Sequence, residues 1–208
     1  IVLAGAAALT HVGRSSAQTN PYLAGQQHLM VDDTLTAANG RWRNDNADSG
    51  TCRFAADGMH VQAVAKYHEC YGVTSVRDFT FQVEFSFGTA SVAGMFFRQR
   101  GRGSWYSAGV HLDGRFWITK VLDSDPNSPD LAAGTVRRPD PGRSHRLAVT
   151  AVGTTLRLHL DGTRLARVTD AQFDAGPIGL YTDGGRPGNA GPGGETIFRN
   201  AKVWTDGR

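Results

Sequence analysis

The sequence has very few lysines and glutamates for a chain of its length. Only three of its 208 residues are Lys, and 19 of its 22 basic residues are Arg. An arginine bias fits anion recognition through the planar guanidinium fork, but a GC-rich genome produces the same bias. The arginines are scattered along the sequence and form no basic stripe of the kind that nucleic-acid binding needs. We therefore expect no nucleic-acid partner.

The shortage of glutamate bears on catalysis. Most glycosidases need a pair of carboxylates about 5 to 10 Å apart, and the only glutamates are Glu69, Glu84 and Glu195. Many of the 16 aspartates precede glycine or proline in turn sequences, where backbone capping explains them. GxSxG and HExxH motifs are also absent. The sequence predicts no catalytic residue and no metal ligand, although a Ser-His-Asp site assembled from distant positions stays open.

No stretch of useful length has helical periodicity, and the repeated signal is that of β-strands. Residues 79–87 alternate between apolar and polar residues over nine positions. Asp-Gly pairs, which favour tight hairpins, occur at 57–58, 113–114 and 161–162. These features predict one all-β domain over residues 28–208, folded as a sandwich or barrel.

Long hydrophobic runs are also missing, except at the start of the chain. Residues 1–9 read IVLAGAAAL, which is too short to span a bilayer. We interpret residues 1–13 as the end of a transmembrane helix or of a signal peptide, with an apolar arm packed on the domain as the alternative. Residues 14–27 are small and polar and predict a linker. The first two interpretations place the domain outside the cytoplasm, with membrane attachment through an upstream helix.

There are only two cysteines, Cys52 and Cys70, too few for a disulfide scaffold. They suffice for one bridge that closes a short loop, worth about 3 kcal/mol. Two unrelated free thiols fit the cysteine count equally well.

An ordered series of short motifs resembles a known extracellular domain. Cys52-Arg53-Phe54 precedes Gly58-Met59-His60-Val61 and Cys70, and the series ends with 197–204, IFRNAKVW. It resembles the C-terminal extracellular domain of bacterial eukaryotic-like serine/threonine protein kinases, a concanavalin A-like jelly roll. The same template is shared with laminin G-like and keto-disaccharide hydrolase-like domains. The resemblance implies two antiparallel sheets, a Cys52–Cys70 disulfide and a membrane helix upstream, but no particular ligand.

Candidate ligand-binding residues follow from alternation along the strands. In such sandwiches one sheet offers a concave face, where aromatic rings and planar hydrogen-bonding groups would hold a sugar. The predicted ligand-binding residues are Arg98, Tyr106, His111, Trp117, Tyr181 and Glu195. Arg98 could equally be a charge that leaves the core at a strand end, and Trp117 and Tyr181 could belong to the core. The acidic loop at 123–130 would be the place for a calcium ion, although a solvated loop explains it as well; no other cofactor is expected.

Three functions remain open at this stage. The first is a ligand-binding sensor or binding module for an extracellular small molecule or glycan, attached to a kinase. The second is a secreted sugar hydrolase of the keto-disaccharide type, and the third is a structural cell-surface domain.

Overall fold

The computed structural model describes residues 19–43, 46–101, 103–125, 128–184 and 193–207, and these residues form fifteen β-strands and no helix. Hence none of them lies in an apolar helix of membrane-spanning length. The segment predicted at 1–13 lies outside the described residues. The strands are β1 (His28–Asp33), β2 (Asn46–Ala47), β3 (Gly50–Ala55), β4 (Gly58–Ala63), β5 (Tyr67–Val76), β6 (Phe79–Phe87), β7 (Val92–Arg100), β8 (Ser104–His111), β9 (Arg115–Val121), β10 (Asp130–Thr135), β11 (His145–Val152), β12 (Thr155–Leu160), β13 (Thr163–Thr169), β14 (Gly176–Asp183) and β15 (Gly194–Thr205).

The strands form two antiparallel sheets packed face to face, which confirms the all-β jelly-roll prediction. The larger sheet has nine strands in the order β13-β12-β11-β6-β15-β4-β3-β2, with β1 also paired to β15. The smaller sheet has six strands in the order β10-β9-β8-β7-β14-β5. Some neighbouring strands are consecutive hairpins, but others, such as β5 and β14 or β6 and β15, come from distant parts of the sequence. One rung of a sheet therefore gathers residues that the sequence separates widely.

The core lies between the two inner faces and is built by the alternation seen in the sequence. Phe79, Phe81 and Phe85 of β6 are fully buried there, against Phe97 of β7 and Tyr106 of β8. Alternate side chains of a strand point to opposite faces, so the residues between these aromatics face outward from the sandwich. The outer face of the six-stranded sheet is therefore carried by the residues that alternate with the core positions.

The N-terminal segment at 19–27 packs on the outer face of the nine-stranded sheet. Asn20 Nδ2 donates to Thr80 Oγ1 at 3.0 Å, Thr80 Oγ1 donates to Gln26 Oε1 at 2.7 Å, and Tyr22 OH donates to Gln82 Oε1 at 3.0 Å. The Tyr22 ring also packs on His159, with centroids 4.9 Å apart. This described part of the predicted linker thus packs on the domain, because its polar side chains pair with the polar positions of β6.

All three Asp-Gly pairs lie at hairpin turns, as predicted. They connect β3 to β4, β8 to β9 and β12 to β13. Only Asp161 and Gly162 both have positive φ, at 50° and 83°, which is the requirement of a type I′ turn. The Asp-Gly dipeptide thus predicted the position of all three hairpins, but only the β12–β13 hairpin has the positive φ angles of a type I′ turn.

Cys52 and Cys70 form the disulfide that the resemblance implied, with their Cα atoms 5.8 Å apart. The bridge connects β3 of the nine-stranded sheet to β5, which is an edge strand of the six-stranded sheet. It therefore ties the two layers together at one side of the sandwich.

Candidate functional site

The outer face of the six-stranded sheet, here called the open face, carries a rung of glycines flanked by aromatic residues. In register across the sheet lie Glu69 of β5, Tyr181 of β14, Gly94 of β7, Gly109 of β8 and Trp117 of β9. The two central positions have no side chain, so the flanking rings can lie over the backbone of the middle strands.

Trp117 and Tyr181 do lie over these two glycines. A Cβ atom at Gly94 would be 2.3 Å from the Tyr181 ring, and one at Gly109 would be 2.6 Å from the Trp117 ring. Real side chains essentially never come this close, so glycine is required beneath each ring. The two half-buried rings therefore cover the middle of the sheet and form an aromatic floor there.

Hydrogen bonds fix the two rings at their polar ends. Trp117 Nε1 lies 3.2 Å from both Tyr181 OH and Ser107 Oγ, and it donates to both. Ser107 Oγ and Tyr181 OH are 2.7 Å apart. Burial is the main cause that raises the pKa of the Tyr181 phenol above its ordinary value. The phenol therefore stays neutral and can continue to act as a hydrogen-bond partner.

The next rung extends the aromatic surface toward β5. Phe96 lies over Gly179, where an added Cβ would be 2.0 Å from the ring. Tyr71 meets Phe96 edge to face with centroids 5.0 Å apart, and Trp105 lies on its other side at 6.4 Å. Tyr71 is half-buried while Phe96 and Trp105 are buried, so this rung adds aromatic packing beside the floor but little exposed ring surface.

An acidic group stands at the β5 end of this surface. Tyr71 OH donates a short hydrogen bond to Glu69 Oε2. Burial raises the pKa of the Glu69 carboxyl, and the bond from Tyr71 opposes that rise only in part. A carboxyl group with a raised pKa can exchange a proton nearer to neutral pH than an exposed glutamate. Glu69 is thus the group on the open face best suited to acid-base chemistry.

The open face is hollowed into a groove of about 410 Å³. Its floor includes Ser107 and Tyr181, and it has two carboxylate residues in its wall, Glu69 of β5 and Asp125 of the β9–β10 connection. A second groove of about 500 Å³ lies next to it and shares Lys66, Tyr67 and Glu69. The combined depression can accommodate more than one sugar residue.

Of the predicted ligand-binding residues, Trp117 and Tyr181 are the two that the structure brings together. His111 is on the same face, but it sits at the end of β8, where Nδ1 lies 3.0 Å from Asp113 Oδ1. Glu195 is on the nine-stranded sheet, where Oε1 lies 3.0 Å from His60 Nδ1. Ligand binding by these four residues stays a prediction, and Glu195 would belong to a different surface from the others.

Arg98 and Tyr106 were placed on a ligand-facing surface in error. The Arg98 side chain is 1% exposed, and its guanidinium donates to the backbone oxygens of Arg77, Gly153 and Phe173. Tyr106 is fully buried because it alternates out of phase with Trp105 and Ser107 and therefore points into the core. Its pKa is raised to about 12, chiefly by burial. The alternative, a charge that leaves the core at a strand end, does not describe Arg98 either, because its side chain is buried and β7 continues to Arg100.

The sequence interpretation missed Glu69, Tyr71 and Ser107 as parts of the site. In the sequence Glu69 is one of only three glutamates and is followed directly by Cys70. The available signal was the alternation of Tyr67, Glu69 and Tyr71, which places all three on the face opposite Cys70. The pairing of β5 with β14, which brings Glu69 beside Tyr181, has no signature in the sequence.

The acidic loop does not bring its carboxylates together around a calcium position among the residues that the structure describes. Asp130 accepts a hydrogen bond from Thr119, and Asp123 Oδ1 accepts one from Ser104 at 3.4 Å. Asn127 lies outside the described residues. The only described group of three His, Cys, Asp or Glu side chains with ligand atoms within 4.8 Å is Cys52, His68 and Cys70, whose sulfur atoms are joined in the disulfide.

The fold and the open face define a jelly-roll domain of the architecture used by carbohydrate-binding modules and glycosidases. Residues 29–204 match the model of the 3-keto-alpha-glucoside-1,2-lyase-like domain, and the chain belongs to this family. The keto-disaccharide hydrolase-like part of the resemblance is thereby confirmed, whereas these comparisons give no support to a kinase context. No curated protein matches the chain in sequence.

Solved structures share the fold at low sequence identity. Carbohydrate-binding module CBM66 from Bacillus subtilis aligns with a TM-score of 0.65 and 19% identity, covering 79% of this chain and 96% of the module. A Bacillus subtilis protein of unknown function with a galectin-like fold aligns with a TM-score of 0.67 and 12% identity, covering 86% of this chain and 97% of that protein. A Bacillus licheniformis beta-glucanase aligns with a TM-score of 0.57 and 11% identity, covering 86% of this chain and 98% of the enzyme. At these identities the similarity concerns the fold alone.

Proposed function

We propose that the domain binds a carbohydrate on the open face, with sugar rings stacked on Trp117 and Tyr181. The observation that carries the proposal is the pair of glycines, Gly94 and Gly109, which lets both rings lie directly over the backbone of the middle strands. A ring that only filled the core would not need to lie on the outer face of a sheet.

The chemistry of the floor suits a pyranose ring. Because Trp117 Nε1, Tyr181 OH and Ser107 Oγ bond to one another, the polar ends of the rings are satisfied before any ligand arrives. The aromatic faces then offer apolar contact to the C–H face of a sugar, while Glu69 and Lys66 at the margin offer hydrogen bonds to its hydroxyl groups. This combination of apolar floor and few polar groups is typical of small-molecule sites.

Binding can be tested with a panel of cell-wall and plant oligosaccharides, using thermal stability as the first readout and calorimetry as the second. A ligand that binds the folded state raises the melting temperature. Trp117→Ala should abolish the rise, and Gly94→Ala should weaken it, since an added Cβ displaces Tyr181. The matched control is Gly25→Ala, because a Cβ there has nothing within 4 Å. Equal binding by all three variants would contradict the proposed site.

A second function, a sugar hydrolase or lyase, is favoured by the acidic groups of the groove. Glu69 and Asp125 both line it, and the pKa of Glu69 is raised by burial. In this alternative Glu69 transfers a proton at the glycosidic oxygen or an adjacent carbon, and Asp125 supplies the second carboxylate.

The two functions are separated by looking for products. Incubation of each oligosaccharide with the full chain, followed by mass spectrometry, should show no new species if the domain only binds. Product formation that is lost in Glu69→Gln, while sugar binding is retained, would establish the enzymatic alternative instead.

The cellular setting forms a further part of the proposal. We place the domain outside the cytoplasm as the sensor of a membrane-anchored serine/threonine kinase. The motif resemblance supports the kinase, and the Cys52–Cys70 disulfide supports an oxidising compartment. A reading frame with a plain signal peptide and no kinase upstream would remove the kinase from the proposal and leave the binding function untouched.

A further inference from the structure

A concentration of unpaired positive charge lies away from the open face. The stretch 137–167 contains seven of the 19 arginines and only two acidic residues, so it carries more positive charge than the whole chain, whose net charge is +3. Hairpins fold this stretch onto one edge of the sandwich, formed by β11, β12, β13 and the loop that follows β10. We call this edge the arginine edge; its members are Arg137, Arg138, Arg143, Arg146, Arg157, Arg164 and Arg167.

Three of these arginines line a groove. Arg137, Arg138 and Arg143, all exposed, stand around a cavity of about 390 Å³. Its walls also include Asp140, Asp161 and Leu165. A cavity of this size is in the range of small-ligand sites. Each guanidinium can offer a fork of donors to one carboxylate or phosphate.

The two acidic residues of the stretch line the same groove but, within the described part of the chain, form no ion pair with its arginines. Asp161 accepts from His145 Nδ1 at 2.7 Å and from the Arg146 backbone amide at 2.8 Å. Asp140 Oδ1 accepts from the Gly142 amide at 2.9 Å. Both carboxylates therefore serve the local backbone and His145.

Among the described residues, none of the seven guanidinium groups of the arginine edge is in an ion pair. Some exposed arginines elsewhere are paired: Arg77 and Arg100 share Asp174, and Arg115 Nε lies 2.8 Å from Asp113. Others, such as Arg53, are exposed and form no ion pair with any described residue either. What distinguishes the arginine edge is therefore the number of unpaired guanidinium groups that one stretch of the sequence brings together.

The strands that flank the groove show the same excess of charge. Arg157 lies directly across from Arg167, and His159 lies across from Arg164. The pKa of His159 is lowered to about 4, chiefly by burial and then by Arg164 and Arg157. Like charges placed opposite each other in a sheet destabilise it, which applies to Arg157 and Arg167 but not to His159, since its lowered pKa keeps it neutral at neutral pH. A bound anion would reduce the repulsion between the two guanidinium groups.

We propose that the arginine edge binds acidic polysaccharide, with one anionic sugar held in the groove by Arg137, Arg138 and Arg143 and its neighbours in the chain contacting the flanking arginines. A sugar polymer fits the arrangement because the charges line a groove and continue around β13. A lipid surface would need a flat patch with exposed apolar side chains, whereas Leu165 and Val136 here are half-buried. The proposal needs no contribution from Trp117 or Tyr181.

The test measures binding of polygalacturonate to the full chain by calorimetry, at low and at physiological ionic strength. Fully methyl-esterified polygalacturonate is the matched ligand control, since it keeps the sugar backbone and loses the charge. We expect binding of the acidic form only, weakening as salt rises. Replacing Arg137, Arg138 and Arg143 together by Gln should lower the affinity by about tenfold or more at low salt. Arg77→Gln/Arg100→Gln is the protein control and should bind as the wild type does.

Several results would overturn this assignment: no binding, equal binding of the ester, or unchanged affinity in the triple variant. Tighter binding of duplex DNA or of anionic vesicles than of polygalacturonate would assign the edge to a different class of partner. The Trp117→Ala variant should bind polygalacturonate normally. Because it should also lose binding of oligosaccharides to the open face, the two proposals fail separately.

Discussion

Arg98 offers a sharp test of how the loops at one end of the sandwich are held together. Its guanidinium contacts three segments that are far apart in sequence: the β5–β6 turn through Arg77 O, the β11–β12 turn through Gly153 O, and the loop before β14 through Phe173 O. Asp78 lies 3.4 Å away and is the one carboxylate in contact with it. We predict that Arg98→Met is strongly destabilising.

The magnitude follows from the acceptors that would be left behind. Loss of a donor costs about 1 to 3 kcal/mol for each buried acceptor. The Phe173 acceptor is buried, whereas the Arg77 and Gly153 oxygens are near the surface and can take up water. We therefore expect a loss of about 2 to 4 kcal/mol in the free energy of unfolding, below the upper end of about 5 kcal/mol seen when buried ion pairs are broken.

Urea denaturation and thermal melting measure the effect. For a chain of this size the loss corresponds to about 5 to 15 °C in melting temperature. Arg100→Met is the control, because Arg100 is exposed and its ion pair with Asp174 is on the surface; its cost should be about 0 to 1 kcal/mol. Arg98→Lys should lie between the two, since an ammonium group cannot span three carbonyls. If Arg98→Met and Arg100→Met melt at the same temperature, the reasoning is refuted.

Two further predictions concern the disulfide and Glu69. Cys52→Ser should lower the free energy of unfolding by about 2 to 5 kcal/mol, and reductant should lower the stability of the wild type but not of the variant; a wild type insensitive to reductant would contradict this. Because burial raises the pKa of Glu69 in the folded state, its contribution to stability is present at acid pH and lost as pH rises through that pKa. Glu69→Gln stays neutral, so urea titrations should show its stability relative to wild type increasing from acid to neutral pH, and a constant difference would argue against a raised pKa.

Much of the fold could be predicted from local patterns. Alternation in β6 and the Asp-Gly turns are properties of neighbouring residues, and they located strands and hairpins correctly. The burial of Thr80 and Gln82 could not be predicted, since it depends on a segment some sixty positions earlier in the chain. A polar side chain on a strand normally indicates that this face of the strand is exposed to solvent. Here the polar side chains of residues 19–27 cover the face and form the hydrogen bonds that water would otherwise form.

Residues of the candidate site could be predicted only where the alternation within a single strand shows which way a side chain points. Trp117 and Tyr181 are outward-facing aromatics, and alternation is enough to nominate them. Arg98 looked like a ligand group because a charge ends an apolar strand, yet three backbone carbonyls from other loops surround it. The neighbours Glu69 and Tyr181 meet only through the pairing of β5 with β14, which is a long-range property of the topology.

The Cys52–Cys70 disulfide between the two sheets affects how well the open face is ordered before a ligand binds. β5 is an edge strand with a single full neighbour, β14, and it carries Glu69 and Tyr71. A strand in that position can fray, and binding would then have to restore its order at an entropic cost. The disulfide holds Cys70, the residue that follows Glu69, to the other layer of the sandwich. The acidic wall of the groove is thereby preorganised during folding, and tight recognition does not require it to assemble around each incoming sugar.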